Sequence, residues 1–254
     1  MTMTDLSGRA AIVTGGLAGM GLAIAQALAA AGVRVAVGSR SGGAALPPGL
    51  AFAAALDVAS TASVTGFVDA AVAAIGPVDI LVNAAGITAE QPVCGHDDAL
   101  WDRIIDTNLT GAFRMSRAVL PGMMAQGWGR VINIGSTAAS VGASDSPAYC
   151  ASKAGLLGLT RCVALEGAAR GVTCVMISPT WVDTEMMDRN LAEVVAREGL
   201  GRSVAEAKAE IAAQNPQGRI IDATEIAGLA VFLCTEAARG LTMENIQVTG
   251  GVLW

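Results

Sequence analysis

The sequence is poor in charged and aromatic residues. Of its 254 residues only 15% are charged and 4% are aromatic, whereas 53% are hydrophobic. A disordered chain has the opposite balance, so the composition excludes disorder. The length exceeds that of an average domain but suits one α/β domain, and we expect residues 1–254 to form a single domain.

Basic residues are scarce as well. Lys and Arg total 16 against 22 acidic residues, which gives a net charge of -6. That sign opposes binding to a phosphate backbone, so we expect no nucleic-acid partner.

Long hydrophobic runs are missing. The apolar stretch from residue 21 to residue 37 is broken by Gln26, Gly32 and Arg34, whereas a membrane-spanning helix needs about 20 predominantly apolar residues in succession. The first residues contain Asp5 and no basic residue before Arg9, unlike a secretory signal. We therefore expect a cytoplasmic protein with no membrane partner.

Metal-binding and disulfide patterns are also lacking. The chain has five cysteines, none of them in a Cys-x-x-Cys pair, and one histidine, His96. This pattern fits neither a disulfide framework nor a zinc site, and we predict no metal site.

What the sequence does contain is an alternation of short apolar runs with Ala-rich stretches of helical length. Such alternation predicts the α/β class, with one Rossmann-type, doubly wound parallel sheet of about seven strands and helices on both faces. Because residues 41–49 are rich in Gly and Pro, we expect a short or irregular crossover there. The strand candidates are 10–14, 33–37, 50–56, 78–83, 130–134 and 172–177, and the helix candidates are 19–31, 63–75, 98–126 and 148–170.

Residues 183–217 are helical in composition but longer than a crossover needs. Ligands of open α/β sheets bind at the carboxyl ends of the strands, so an apolar insertion there is a candidate substrate lid. An ordinary packed helical hairpin is the alternative.

A glycine cluster follows the first strand. Thr14 begins the run Thr-Gly-Gly-Leu-Ala-Gly-Met-Gly, which leads into a helix. Glycines at 15, 19 and 21 allow a sharp turn and close approach to a pyrophosphate, whose charge meets the free N–H groups at the helix start. The position between strand and helix predicts dinucleotide binding.

The end of the second strand favours NADP. An acidic residue there would hold the ribose hydroxyls of NAD, but the chain has Ser39 and Arg40, which suit a 2′-phosphate. Asp57 and Val58, and the run from Asn83 to Gly86, follow the next two strands on the expected adenine side. For Asp57 an ordinary turn or helix cap is the alternative.

The only tyrosine, Tyr149, stands four residues before Lys153, one of two lysines. On a helix this spacing is one turn, which places both side chains on one face about 6 Å apart along the axis. A nearby ammonium favours phenolate, so we expect the tyrosine pKa to be lowered and the phenol to act as a proton donor.

Ser136 follows the strand at 130–134, at the edge where the tyrosine helix begins. Characteristic motifs extend along nearly the whole chain: the glycine run, Asn83 to Gly86, Asn108, Ser136, Tyr149-x-x-x-Lys153 and the segment from Pro179 to Thr184. In these motifs the chain resembles the short-chain dehydrogenase/reductase family, in the subgroup that includes 3-oxoacyl-carrier-protein reductases.

The resemblance implies an NADP(H)-dependent oxidoreductase that reduces a ketone to a secondary alcohol, or the reverse, and assembles as a homotetramer. It implies a catalytic tetrad of Asn108, Ser136, Tyr149 and Lys153, in which Asn108 anchors a water and Lys153 also binds the nicotinamide ribose. The cofactor-binding residues predicted from the pattern and the resemblance together are Gly15, Leu17, Ala18, Gly19, Met20, Gly21, Ser39, Arg40, Asp57, Val58, Asn83, Ala84, Gly86, Tyr149, Lys153, Pro179, Val182 and Thr184.

The chain departs from the family pattern at three positions. Ala84 replaces the usual second Asn, Thr180 the usual Gly, and Ala18 a residue that is basic in many NADP users. Arg40 must then bind the extra phosphate largely alone, so an NAD(H)-dependent alcohol dehydrogenase remains an alternative. A 3-oxoacyl thioester reductase is another, and a nucleotide sensor without turnover is disfavoured because all four polar groups are present.

The predicted substrate-binding residues include no basic side chain, which favours an uncharged ketone or alcohol. For Asp145, which belongs to this set, a helix-capping role is the alternative. Separately, the apolar Trp254 at the end of the sequence suggests a subunit contact. The predicted set is Ser136, Ala138, Ser144, Asp145, Tyr149, Trp181, Met186 and Met187.

Overall fold

The computed structural model describes residues 6–42, 45–199 and 201–252, so Trp254 lies outside the described residues. Seven strands form one parallel sheet in the order β3-β2-β1-β4-β5-β6-β9, which confirms the doubly wound α/β prediction. The strands are β1 Ala10–Thr14, β2 Arg34–Ser39, β3 Phe52–Ala55, β4 Ile80–Asn83, β5 Gly129–Ile134, β6 Val172–Pro179 and β9 Asn245–Val248, and the short β7 Val182–Asp183 pairs separately with β8 Ile221–Asp222.

Helices cover both faces of the sheet. Helices α1 and α8 pack together on one face, while α2, α4 and α5 cover the other. Strands β1, β4, β5 and β6 are buried along their whole length, as expected when both faces of a parallel sheet are covered. The helices are α1 Gly19–Ala30, α2 Thr61–Ile75, α3 Asp98–Ile105, α4 Gly111–Gln126, α5 Pro147–Gly167, α6 Glu185–Glu198, α7 Val204–Gln214 and α8 Ala223–Leu233.

Residues 98–126 are helical throughout, as predicted, but a π-helical turn at Asp106–Thr110 separates α3 from α4. Within this turn, the buried side chain of Asn108 accepts a hydrogen bond from the Ile87 amide at 2.8 Å and donates one to the Ile87 carbonyl at 2.9 Å. These bonds stabilise an irregularity that apolar periodicity does not reveal.

The described residues of the crossover at 41–49 contain no helix, as the Gly and Pro content predicted. Residues 183–217 contain α6 and α7, which share a small apolar cluster centred on Met187, Leu191 and Ala207. Lys208 on α7 forms ion pairs with Asp183 and Asp188 at 2.7 and 2.6 Å. This pair of helices is called the α6–α7 unit below.

Across the described ranges, no helix is both long and apolar enough to cross a membrane.

Candidate active site

The carboxyl edge of the sheet brings together segments that are far apart in the sequence. The glycine turn follows β1, Ser39 and Arg40 end or follow β2, Ser136 follows β5, and Pro179 ends β6. Thr14 at the end of β1 links the glycine turn to the residues after β4, because its hydroxyl accepts hydrogen bonds from the amides of Ala84 and Ala85 at 3.1 and 3.0 Å. The ends of β1 and β4 are thereby held in register beside the glycine turn.

The glycine turn leaves no room for side chains at two positions. A Cβ on Gly15, whose φ is +67°, would lie 3.0 Å from the Ala85 backbone, and a Cβ on Gly21 would lie 2.3 Å from the Gly15 carbonyl oxygen. The following helix has no side-chain cap at Ala18 and no acidic residue in its first turn. Its first N–H groups therefore remain available to an anion, and the residues present fit a dinucleotide pyrophosphate.

The residues predicted to bind the adenosine end of the dinucleotide, in the crevice along this edge of the sheet, differ in their contacts. Arg40 is exposed and forms no ion pair within the part of the chain that the structure describes. Ser39 shares a hydrogen bond with Ser41 at 3.0 Å. One carboxylate oxygen of Asp57 accepts from the Ala59 amide at 3.0 Å, so this side chain closes a local turn.

Asn83, predicted to bind the cofactor, turns its side chain into the core instead. Its amide donates to the Asn133 side chain at 2.8 Å, and Asn133 in turn donates to Thr160 at 2.9 Å. Any contact between Asn83 and a dinucleotide must therefore come from its backbone.

Tyr149 and Lys153 lie one turn apart near the start of α5, with the Lys153 ammonium 5.6 Å from the centre of the tyrosine ring. The lysine is buried and donates a hydrogen bond to the Ile134 carbonyl at 2.7 Å. The Ser136 hydroxyl interacts with the phenol, whose pKa it lowers, and its oxygen accepts a hydrogen bond from the Ala138 amide at 3.1 Å. Ser136, Tyr149 and Lys153 thus lie together at the carboxyl edge of the sheet.

The predicted lowering of the Tyr149 pKa is wrong for this structure. Burial raises the pKa of the phenol, and the interaction with Ser136 offsets the rise only in part. Burial likewise lowers the pKa of Lys153 to about 8. Desolvation disfavours both charged forms, and it outweighs the attraction between phenolate and ammonium that the spacing suggested.

Asn108 lies close to Lys153 as well. A Cβ on Gly86 would be 3.4 Å from the side-chain oxygen Oδ1 of Asn108 and 3.7 Å from the Lys153 nitrogen, so both side chains lie beside Gly86. The Asn108 amide also donates to Ser152 at 3.1 Å. Its side chain therefore stabilises the π-helical turn directly beside the lysine.

A cleft of about 400 Å³ adjoins Ser136 and Tyr149. Every predicted substrate-binding residue lines it except Asp145. Asp145 does not cap α5 either, because the helix cap is Ser146 and carries no side-chain hydrogen bond. Asp145 adopts a φ of +59°, which Asp tolerates, and its carbonyl accepts from the Gln91 amide.

The sequence reasoning missed the charged residues of this cleft. Glu90, which follows β4, forms an ion pair with Arg197 of α6, and both line the cleft together with Glu193. Helical spacing could have identified the α6 residues, because positions 186, 190, 193, 194 and 197 share one helix face. No local pattern marks Glu90.

The comparisons agree with this geometry. The family model of the short chain dehydrogenases matches residues 9–195. The chain is 37% identical over 255 residues to the D-beta-hydroxybutyrate dehydrogenase of Cupriavidus necator. This alignment covers 97% of this chain and 98% of the relative. It is 37% identical over 253 residues to the 3-oxoacyl-[acyl-carrier-protein] reductase FabG of Escherichia coli, with 98% of each chain covered.

A solved structure of the actinorhodin polyketide ketoreductase with NADPH is similar as well. The two folds superpose with a TM-score of 0.88 and 34% sequence identity over 99% of this chain and 98% of that chain.

Proposed function

The chain belongs to the short chain dehydrogenase family and is an oxidoreductase of alcohol or carbonyl groups that uses a nicotinamide dinucleotide, and we propose that it interconverts a ketone and a secondary alcohol with NADP(H). The observation that carries this proposal is the convergence of Ser136, Tyr149 and Lys153 between the glycine turn and the cleft.

The bound dinucleotide supplies the hydride for reduction, or accepts it in oxidation. Residues 15–21 would hold its pyrophosphate, Arg40 its 2′-phosphate, and Pro179, Val182 and Thr184 its nicotinamide end. Thr184 supports this placement, because a Cβ on Gly19 would lie 3.6 Å from its side chain. Met20 of the turn and Thr184 both line the cleft, so crevice and cleft are continuous.

Tyr149 is the proposed proton donor in ketone reduction. Its raised pKa keeps the phenol protonated at neutral pH, and the phenol gives its proton to the carbonyl oxygen as that oxygen gains negative charge. The Ser136 hydroxyl donates a hydrogen bond to the same oxygen and orients it.

Lys153 is proposed to stabilise the phenolate that remains on Tyr149. An ammonium has three N–H donors, and one of them is given to Ile134. The others are proposed to bind the nicotinamide ribose and to interact with the phenolate. Asn108 is proposed to anchor a water beside the lysine, through which a proton returns to Tyr149.

A 3-oxoacyl thioester reductase is a second candidate, favoured by the similarity to FabG over 98% of both chains. It shares every step above and differs only in the substrate. Residues 183–217 are proposed as the substrate lid of a single domain, and a cytoplasmic homotetramer is proposed as the assembly.

The test is Tyr149→Phe, assayed with NADPH and a panel of ketones. We expect turnover to fall about a thousandfold, because general acid catalysis contributes roughly 10²- to 10⁴-fold, while NADPH binding measured by fluorescence persists. Preserved turnover would contradict the proton-donor role. A wild-type protein that binds NADPH but converts no ketone or alcohol would favour a nucleotide sensor.

A further inference from the structure

One face of α6 lines the cleft that adjoins Tyr149. Met186, Asn190, Glu193, Val194 and Arg197 line the cleft from this face, and Arg197 lies eleven residues beyond Met186, about 16 Å along the helix axis. The guanidinium of Arg197 forms its ion pair with Glu90 at this end of α6. A substrate that fills the cleft therefore meets the pair as well as Tyr149.

The charges of the cleft are unbalanced toward the negative. Among the described residues that line it, the charged side chains are Glu90, Glu193 and Arg197. Two carboxylates and one guanidinium leave a net charge of -1, and the guanidinium is already bound to one of the carboxylates.

On the basis of the proposed function, we propose that Glu90 is a specificity-determining residue: by holding Arg197 it prevents that cation from binding a substrate carboxylate, and the cleft selects ketones and alcohols whose remote end is uncharged. A carboxylate in the cleft must displace Glu90 from Arg197 and also approach Glu193. Both requirements oppose an acid and leave an ester or alkyl end unaffected.

The exposure of the pair sets the size of the effect. The side chains of Arg197 and Glu90 are 56% and 36% exposed, so water screens the interaction in part. We expect discrimination by about tenfold, at the low end of what a hydrogen bond to a charged group contributes.

The experiment compares keto acids with their ethyl esters, from acetoacetate to longer chains, as substrates with NADPH. In Glu90→Gln, Arg197 loses its ion pair with Glu90, and the ratio of kcat/KM for acid over ester should rise about tenfold. Glu193→Gln is the matched control, since it removes an equal charge from the same cleft but keeps the ion pair, and we expect a smaller rise. An equal rise in both variants would overturn the proposal.

The double variant Glu90→Gln with Arg197→Gln assigns the gain to the cation. The rise should disappear there, and a rise that persists would also overturn the proposal. Arg197→Gln alone serves if Glu90→Gln fails to fold, and its ratio should fall below that of the wild type because two carboxylates remain without a cation. A ratio above that of the wild type would contradict the proposal.

Ester turnover by the wild type reports separately on the proposed function. If no variant turns over either compound, the proposed function fails, and calorimetric binding of acid and ester to the NADPH complex then tests the inference alone. The same shift in relative affinity, about tenfold toward the acid in Glu90→Gln, supports it, and unchanged relative affinity rejects it.

Discussion

The dinucleotide crevice and the α6–α7 unit lie next to each other but are built by different means. In the crevice, backbone atoms approach so closely that Gly15 and Gly21 admit no Cβ, and Thr14 joins two strand ends through hydrogen bonds. The α6–α7 unit depends on three buried side chains and on ion pairs whose acidic partners are largely exposed. The crevice should therefore be intolerant of substitution, whereas the unit should tolerate it.

The largest effect is expected from Gly21→Ala. The new Cβ would lie 2.3 Å from the Gly15 carbonyl oxygen, so the turn must move. We expect the free energy of unfolding to drop by about 1–3 kcal/mol and the Kd for NADPH to rise about a hundredfold. Gly66→Ala in α2 is the control, because its Cβ meets open space and should add about 0.5–1 kcal/mol of stability. Equal changes of stability and of NADPH affinity in the two variants would contradict the expected intolerance of the crevice.

The next effect concerns cofactor choice. Arg40→Ala should weaken NADPH binding about 30-fold, because a charge-assisted hydrogen bond to phosphate is lost, and should leave NADH nearly unchanged. Arg34→Ala removes the same charge from the opposite end of β2 and should leave the NADPH to NADH ratio unaltered. Calorimetric titration measures both, and equal losses for the two dinucleotides would refute the phosphate role of Arg40.

A pH profile examines the site that the two regions share. The pKa of Lys153 is lowered to about 8 by burial, so its ammonium form is lost as pH rises through that value. Since the ammonium stabilises the phenolate formed in reduction, kcat for ketone reduction should fall about tenfold between pH 8 and pH 9.5. A rate that stays level to pH 9.5 would argue against this role.

The smallest effect is expected from Lys208→Met. The variant removes the ion pairs to Asp183 and Asp188, which lie at 2.7 and 2.6 Å, and it should cost less than about 1 kcal/mol of stability. Hydrogen exchange should show faster opening of α7 while the crevice is unchanged. Arg189→Met, which loses a 3.8 Å pair within α6, should have a smaller effect still. Slower binding of NADPH in Lys208→Met would contradict the expectation that the crevice is unaffected by changes in the α6–α7 unit.

The sites differ in how well the sequence predicted them. Glycine spacing and the step from Tyr149 to Lys153 are local patterns, and the structure places them where the pattern indicated. Predictions that depended on environment were less successful. The pKa of Tyr149 moves upward because of burial, the Asn83 side chain hydrogen-bonds within the core, and Asp145 does not line the cleft.

The sequence by itself determined the alternation of strand and helix, the parallel sheet, the glycine turn and the tyrosine–lysine pair, because each arises from residue types at short, regular spacing. Only the tertiary structure decided the π-helical turn at Asn108, the ionisation of the buried phenol and amine, and the meeting of Glu90 with Arg197 across 107 residues of chain. Those features depend on desolvation and on contacts between distant segments, and neither leaves a periodic trace in the sequence.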